Sequence, residues 1–464
     1  MLIRDAEVRG IGTADLRLSG GTIAEIGKLA PRPQERVLDA AGGALLPGLH
    51  DHHIHLAGLA ARRESVICGP PDVNTAEELA ESLSRPGTGW LRGILYHESV
   101  MGLPDAKALD RLVPDRPVRI QHRSGRMWLL NSPALAELLA RADPPPGLER
   151  ETDGSFTGRL FDEDQWLRTA LASAPPDFGA VSAELASHGI TGITDMSPRN
   201  DPAMASHFTR QMEAGALLQH CMLAGELTLA DAPATPWQLG PAKLHLHEAA
   251  LPAFEDATRF TAAAHGQHRP VAVHCVSEVE LVFALAVLEE AGTMPGDRIE
   301  HASVASPDLV TRMAELGLTV CVQPHFIAER GDLYLRDVEP RHHPDLYRLA
   351  TLRDAGIPLA GGSDAPFASA DPWAGMRAAV SRKTREGQSI TPDEALSPEE
   401  ALALYLAAPG DFTHQRRVTV GAAADLCLLD RPWADARLRL ASGDVRASFI
   451  AGRLVHDRID EPPA

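Results

Sequence analysis

Eight short apolar runs, spaced through the middle of the chain and separated by helix-like stretches, constrain the fold more than any other feature. They are ALLPGLHDHHIHL (44–56), GITGITDM (189–196), LLQHCMLAG (217–225), AKLHLHE (242–248), PVAVHCV (270–276), DRIEHAS (297–303), LTVCVQPHF (318–326) and IPLAGGSDAP (357–366). Between them, EVELVFALAVLEEA (278–291) and PDLVTRMAEL (307–316) carry helical periodicity, the latter opening with Pro and an acidic residue. Apolar β runs that alternate with amphipathic spacers describe a parallel α/β (β/α)8 TIM barrel over 48–414. No fixed-period repeat interrupts the pattern.

Two departures from a plain barrel stand out. The spacer between the first and second runs is about 130 residues, too long for one crossover. It holds ELAESL, WLRGILYHES, PVRIQHRSG and SPALAELLARA, with a stiff turn at Pro144-Pro145-Pro146-Gly147. This is expected to be an inserted, cap-like subdomain, 57–185, walling the barrel mouth. The two chain ends form the second departure. MLIRDAEV, DLRLSG, TIAEIG and RVLDA lie in 1–47; RRVTVG, ADLCLLD and VRASFIAGRLVHD lie in 415–464. Neither end has enough apolar surface to stand alone, so the two should pair into one composite β-sandwich domain. Gly20-Gly21 reads as its first hairpin turn.

Composition narrows the function classes. The formal charge of the 464-residue chain is −19, which disfavours a phosphate backbone as partner. No apolar run approaches the roughly 18 residues that span a bilayer. MLIRDAEVRG lacks the apolar stretch of a signal peptide. Cys68, Cys221, Cys275, Cys321 and Cys427 are scattered without a C-x-x-C, as expected of reduced thiols in a cytoplasmic protein. Twenty histidines are many for this length, and several sit where barrels place their chemistry.

His53 and His55 close the first run, and strand period two puts both imidazoles on one face. An isolated H-x-H is more often a solvated or core pair. Here His274 ends the fifth run, His301 the sixth and Asp364 the eighth, each at the end where barrels hold their active sites. Neutral imidazoles and a carboxylate suit a borderline divalent ion such as Zn²⁺. Lys243 opens the fourth run, sharing a face with His245 and His247. A buried lysine is costly, so Lys243 is read either as a carboxylated bridge between two ions or as a strand-entrance lysine with its amine in solvent. His245 or His247 could supply the ligand instead.

In this strand order, H-x-H, Lys, His, His and Asp together resemble the amidohydrolase superfamily of metal-dependent hydrolases. PGLHDHHIHL, RIEHAS, GGSDAP and the closing ADLCLLD and VRASFIAGRLV strands carry the resemblance over almost the whole chain. Asp153-Gly154 with Thr157-Gly158, RSGRMWLLNSPAL and VCVQPHF are similar to the N-substituted formamide deformylase-like branch. The chain departs from that branch at Ser124, Arg126, His247-Glu248 and Cys275-Val276-Ser277-Glu278.

The resemblance implies that His53, His55, Lys243, His274, His301 and Asp364 surround one or two divalent ions, with Lys243 carboxylated as the bridge. It implies hydrolysis of a non-peptide C–N bond, an N-formyl or N-acyl amide of a small molecule. Asp364 would take the proton of the attacking water and return it to the leaving nitrogen. His97, His122, Arg123, Arg126 and His325 are the candidates for orienting a polar or anionic substrate group, His325 foremost because, after Gln323-Pro324, it is expected at a strand end facing the same mouth. Each of these five, taken singly, is more often a solvated or structural residue. Glu300 is expected on the opposite strand face from His301, as a structural residue or one that supports a ligand from behind. The loop pair His342-His343 and the indoles Trp90, Trp128 and Trp166 read as structural. A deaminase or cyclic-amide hydrolase is the second reading, and a non-catalytic scaffold a third; a homodimer is the default oligomeric form.

Overall fold

The computed structural model describes residues 1–70, 72–171 and 175–458. Contacts divide the chain into two units, Met1–Leu56 with Asp177–Ala464, and Ala57–Pro176. In the first unit, eight parallel strands stand side by side: β1 (Leu49–Ile54), β2 (Ile190–Asp195), β3 (His220–Gly225), β4 (Gln238–His245), β5 (Val271–Cys275), β6 (Arg298–His301), β7 (Thr319–Val322) and β8 (Leu359–Gly361). Seven of the eight fall within the apolar runs, and β4 begins four residues ahead of its run, at Gln238; both faces of such a sheet are covered, which is why the runs are nearly continuous rather than alternating. β1 is buried along its whole length despite carrying His50, Asp51, His52 and His53.

Backbone hydrogen bonds just past β8 close the cylinder. The Asp364 amide donates to the His53 carbonyl at 2.7 Å, and the His55 amide to the Ala365 carbonyl at 2.8 Å. The seam is tight because Gly362 lets the two chains meet: a Cβ there would stand 2.4 Å from the Cβ of His53.

The chain ends build one mixed sheet. Its order is Arg453–Asp457, Val445–Ile450, Leu426–Leu429, Ala44–Pro47, Leu2–Val8, Gly12–Ser19 and Thr22–Gly27, with Val37–Asp39 beside Leu2–Val8. The join between the two ends is antiparallel, Cys427 facing Leu46 and Leu428 facing Leu45. A bridge from Thr22 to Ala423 ties the edge strand back towards Leu426–Leu429, so the sheet folds over itself as a sandwich does. Ile3, Val8, Leu16, Ile23, Leu45, Leu428 and Phe449 share its core. Residues from both ends contribute, so neither end buries its apolar face without the other. Gly20 and Gly21 both take positive φ, 58° and 79°, the pattern of the tight hairpin turn that glycine permits.

The second unit holds a six-stranded sheet in the order Leu148–Arg150, Phe156–Phe161, Met127–Leu130, Val118–His122, Leu91–Tyr96 and Val66–Ile67. Trp128 belongs to its core, with Trp90 and Trp166 packed against it, the structural role expected for these indoles. Its end at Pro176 precedes the expected boundary at 185, because helix Gly179–Ser187 packs on β2 and on the C-terminal strands instead. No helix among the described residues is long and apolar enough to cross a membrane. All five cysteines are free and buried.

The seam yields a stability test. Gly362→Ala should destabilise the protein by about 1–3 kcal/mol, as overpacking does. Gly266→Ala, where a Cβ would meet nothing within 4 Å, should be close to neutral. Urea unfolding of the two variants checks this.

A candidate metal centre at the barrel mouth

The C-terminal ends of the strands bring the expected residues together. His53 Nε2 lies 3.3 Å and His55 Nε2 3.0 Å from the same oxygen, Oδ1 of Asp364. His301 Nε2 is 3.0 Å from His274 Nδ1. Ring centroids step around the site at 5.3 Å for His53 to His55, 4.9 Å for His53 to His301 and 4.5 Å for His274 to His301. Ligand atoms of His53, His301 and Asp364 all fall within 4.8 Å of one another, close enough for one ion.

What holds the imidazoles decides which nitrogen is free. His53 Nδ1 donates to Glu300 Oε2 at 2.5 Å. His301 Nδ1 faces Gln323 Oε1 at 2.7 Å; the Gln323 amide is oriented by its own donation to the Cys321 carbonyl, so its oxygen accepts. His55 Nδ1 lies 3.2 Å from Ser197 Oγ. In all three rings the outer nitrogen is engaged, which leaves Nε2 as the inward lone pair. Asp364 Oδ1 is buried and, although close to two histidines, has no aligned hydrogen bond. Converging lone pairs of this kind repel one another unless a cation stands between them.

Burial and charge act in opposition here. Burial disfavours a charged His53, but the Asp364 and Glu300 carboxylates outweigh it and raise its pKa. Burial would likewise raise Asp364, yet the surrounding His53 and His55 hold it well below the usual carboxylate range. Burial lowers His301 to about 3 and also lowers His274, so both are neutral and able to donate a lone pair.

Lys243 is 5% exposed and its Nζ has no hydrogen-bond partner. Burial lowers its pKa, partly offset by Glu300 and Asp364. The strand-entrance reading with a solvated amine is thereby excluded. His245 lies against His274 with ring centroids 4.4 Å apart and planes tilted by 40°; the residue is exposed, yet partial burial of its ring lowers it to about 4. β4 ends at His245, so His247 no longer follows the strand's alternation, and it too is exposed.

Two expectations need correction. Glu300 does not turn away from the site. His301 takes a left-handed φ of 72°, which breaks strand alternation, so neighbouring residues both reach the barrel centre. His325 does not end a strand. β7 stops at Val322, and Pro324 starts helix His325–Asp337, whose first ring is buried against Gly375 with Nε2 donating to the Asp371 carbonyl at 2.9 Å. That is a packing role.

In the second unit, His97 and His122 stack at 6.3 Å, and His122 Nε2 lies 2.9 Å from Glu98 Oε2. Its hydrogen bond to His122 pulls Glu98 down to about 2. Arg126 is already engaged, both guanidinium arms meeting Asp162 at 2.8 and 2.7 Å, so it is not free for a substrate carboxylate. The Arg123 side chain is exposed.

Sequence reasoning passed over several supporting residues. Arg298 lies 2.5 Å from Glu300 Oε1, behind His53. Asp195 accepts from the amides of Leu56 and Ser197 and from Asn200 Nδ2, clamping the exit of β1 to the loop that carries Ser197. Asp195 ends its apolar run as His274 and Asp364 do, so the signal was present. Gln323 was visible in the Q-P pair. Ser197 had none.

Comparison with known proteins identifies the family. Residues 36–456 match the amidohydrolase family. The N-substituted formamide deformylase of Arthrobacter pascens is 26% identical over 98% of this chain and 97% of its own length. The putative amidohydrolase YtcJ of Bacillus subtilis is 25% identical over 92% of this chain and 91% of its own length. In fold, an uncharacterized metal-dependent hydrolase from Pyrococcus horikoshii superposes with a TM-score of 0.79 at 21% identity, covering 96% of this chain and 99% of that one. The chain belongs to the amidohydrolase family, metal-dependent hydrolases that cleave carbon–nitrogen bonds other than peptide bonds.

Proposed function

We propose that this protein hydrolyses an N-formyl or N-acyl amide of a small molecule, with Zn²⁺ held by His53, His55, His274, His301 and Asp364. The observation that carries the reading is the convergence of His53 and His55 Nε2 on Asp364 Oδ1, with His301 within reach of the same ion and all three rings engaged from behind. The formyl preference is supported by the name of the deformylase relative, which aligns over nearly the full length. When bound, the ion supplies a water of lowered pKa and a Lewis acid for the substrate carbonyl.

The chain's own residues do the rest. Asp364, held anionic at the seam, accepts the proton of the attacking water and passes it to the amide nitrogen, which leaves poorly unless protonated. Glu300 keeps the proton of His53 on Nδ1, and Gln323 does the same for His301. Lys243 brings an amine that burial biases towards neutrality, the form that adds to CO₂ and loses a proton to give a carbamate. Such a carbamate would give the unpartnered Nζ its missing interactions and could bridge two ions. A deaminase on the same scaffold would release ammonia without a carboxylic acid, whereas amide hydrolysis releases the acid.

Three outcomes are expected. Chelation to verified metal-free protein should abolish hydrolysis of a formamide panel, and Zn²⁺ should restore it; full activity without metal would end the reading. Asp364→Asn should lower kcat about 10²–10⁴-fold, measured on the best substrate of the panel. Glu300→Gln should weaken metal affinity about 10–100-fold, read by competition with a chromogenic chelator.

A further inference from the structure

We infer that Arg330 forms a carboxylate-binding subsite beside the metal centre, so that the amide cleaved carries a carboxylate; the identity of the scissile bond rests on the reading above. Arg330 lies on helix His325–Asp337, which follows β7 at the mouth. Two phenylalanines connect it to the site. Its guanidinium lies over the Phe326 ring at 4.7 Å, and Phe326 is 6.5 Å from the ring of His301. Its Nη2 donates to the carbonyl of Phe367 at 2.6 Å, and the Phe367 ring stands edge-on to His55 at 5.7 Å. Arg330 therefore touches two phenylalanines, Phe326 through its ring and Phe367 through its backbone carbonyl, and the ring of each lies near a different histidine of the centre.

Only neutral groups hold it there. They are the Phe326 face, the Phe367 carbonyl and the hydroxyl of Tyr334, which continues through Tyr347 to Ser303. Among the described residues no carboxylate lies within ion-pair distance of Arg330, in a chain with 63 acidic and 44 basic residues. Arg269 and Arg382 also lack carboxylates, but several backbone carbonyls hold each: Arg269 donates to Gly240, Glu226, Leu227 and Pro241, and Arg382, through Nε and Nη2, to Ile390, Thr391 and Leu346, although its buried Nη1 has no partner. Arg330 has one backbone acceptor, and it is half-buried. Its remaining donors keep the planar fork that pairs with a carboxylate. Phe367, 54% exposed and with its ring edge-on to His55, offers an apolar surface for the substrate's body.

A matched pair of probes isolates the carboxylate: N-formylphenylalanine and N-formylphenethylamine, the same formamide with and without it. The wild-type protein should favour the acid by about 100-fold in kcat/KM, the scale of a hydrogen-bonded charged group. Arg330→Met should collapse that ratio towards one through KM for the acid, and Arg330→Lys should retain part of it. Calorimetric titration with 3-phenylpropionate, which has no amide, reads the subsite without turnover. Binding to wild type, weakened at least tenfold in Arg330→Met of unchanged circular dichroism, supports the subsite even if neither formamide is cleaved; that result would count against the formamide reading alone. Equal turnover of both formamides, or a preference that Arg330→Met leaves intact, overturns the subsite while leaving amide hydrolysis in place. Absence of phenylpropionate binding to wild type also overturns it.

Discussion

The hydrogen bond from the Asp364 amide to the His53 carbonyl is the contact on which the site depends. It closes the cylinder and, in the same step, sets the carboxylate of the last strand beside the imidazoles of the first. Without it, Asp364 and the H-x-H pair would be separated by most of the polypeptide. Neighbouring contacts reinforce the seam: the Ser363 amide donates to Asp51 Oδ1 at 3.0 Å, and the same oxygen accepts from the His53 amide at 3.1 Å. One buried carboxylate thus registers β1 against the end of β8.

The backbone is strained where the chemistry is placed. His301 and Asp364 both take left-handed φ, 72° and 56°, which costs a non-glycine residue about 1–3 kcal/mol. Each conformation bends the chain at a strand end and turns the side chain inward. The surrounding parallel sheet, covered on both faces, over-determines these residues and keeps them there. Charge is arranged with the same economy. Arg298 and Glu300 form a buried pair behind His53, so the histidine is braced by an anion that is itself compensated. Removing either partner would leave an isolated buried charge.

Asp195 plays the corresponding part on the other side. It joins the exit of β1 to the β2 loop, and through Ser197 it reaches His55. The two histidines of the first strand are therefore braced by different strands, His53 from β6 and His55 from β2. A small rigid frame of hydrogen-bonded groups, rather than the histidines alone, sets the geometry in which an ion would be held.

The amino-acid sequence alone determined the barrel architecture. Apolar runs of strand length are a local property, and polar residues at their ends mark the mouth of a barrel, so His53, His55, His274, His301 and Asp364 stood out as candidates, with Lys243 favoured over its alternatives by the resemblance to amidohydrolases; folding brings His53, His301 and Asp364 within reach of one ion. The pairing of the chain ends was legible because neither had enough apolar surface for a core. Tertiary structure decided the rest. Glu300 reaches His53 because His301 breaks the strand's alternation, and a left-handed residue other than glycine or asparagine leaves no mark in composition. His325 is a packing residue because a helix begins where the pattern still read as strand, and its ring fills the space that Gly375 leaves. Arg126 is spent on Asp162, while Arg330 has no carboxylate partner among the described residues. Arginine looks the same in a sequence whether it is paired or not; only folding, by choosing which carboxylates come within reach, separates the two.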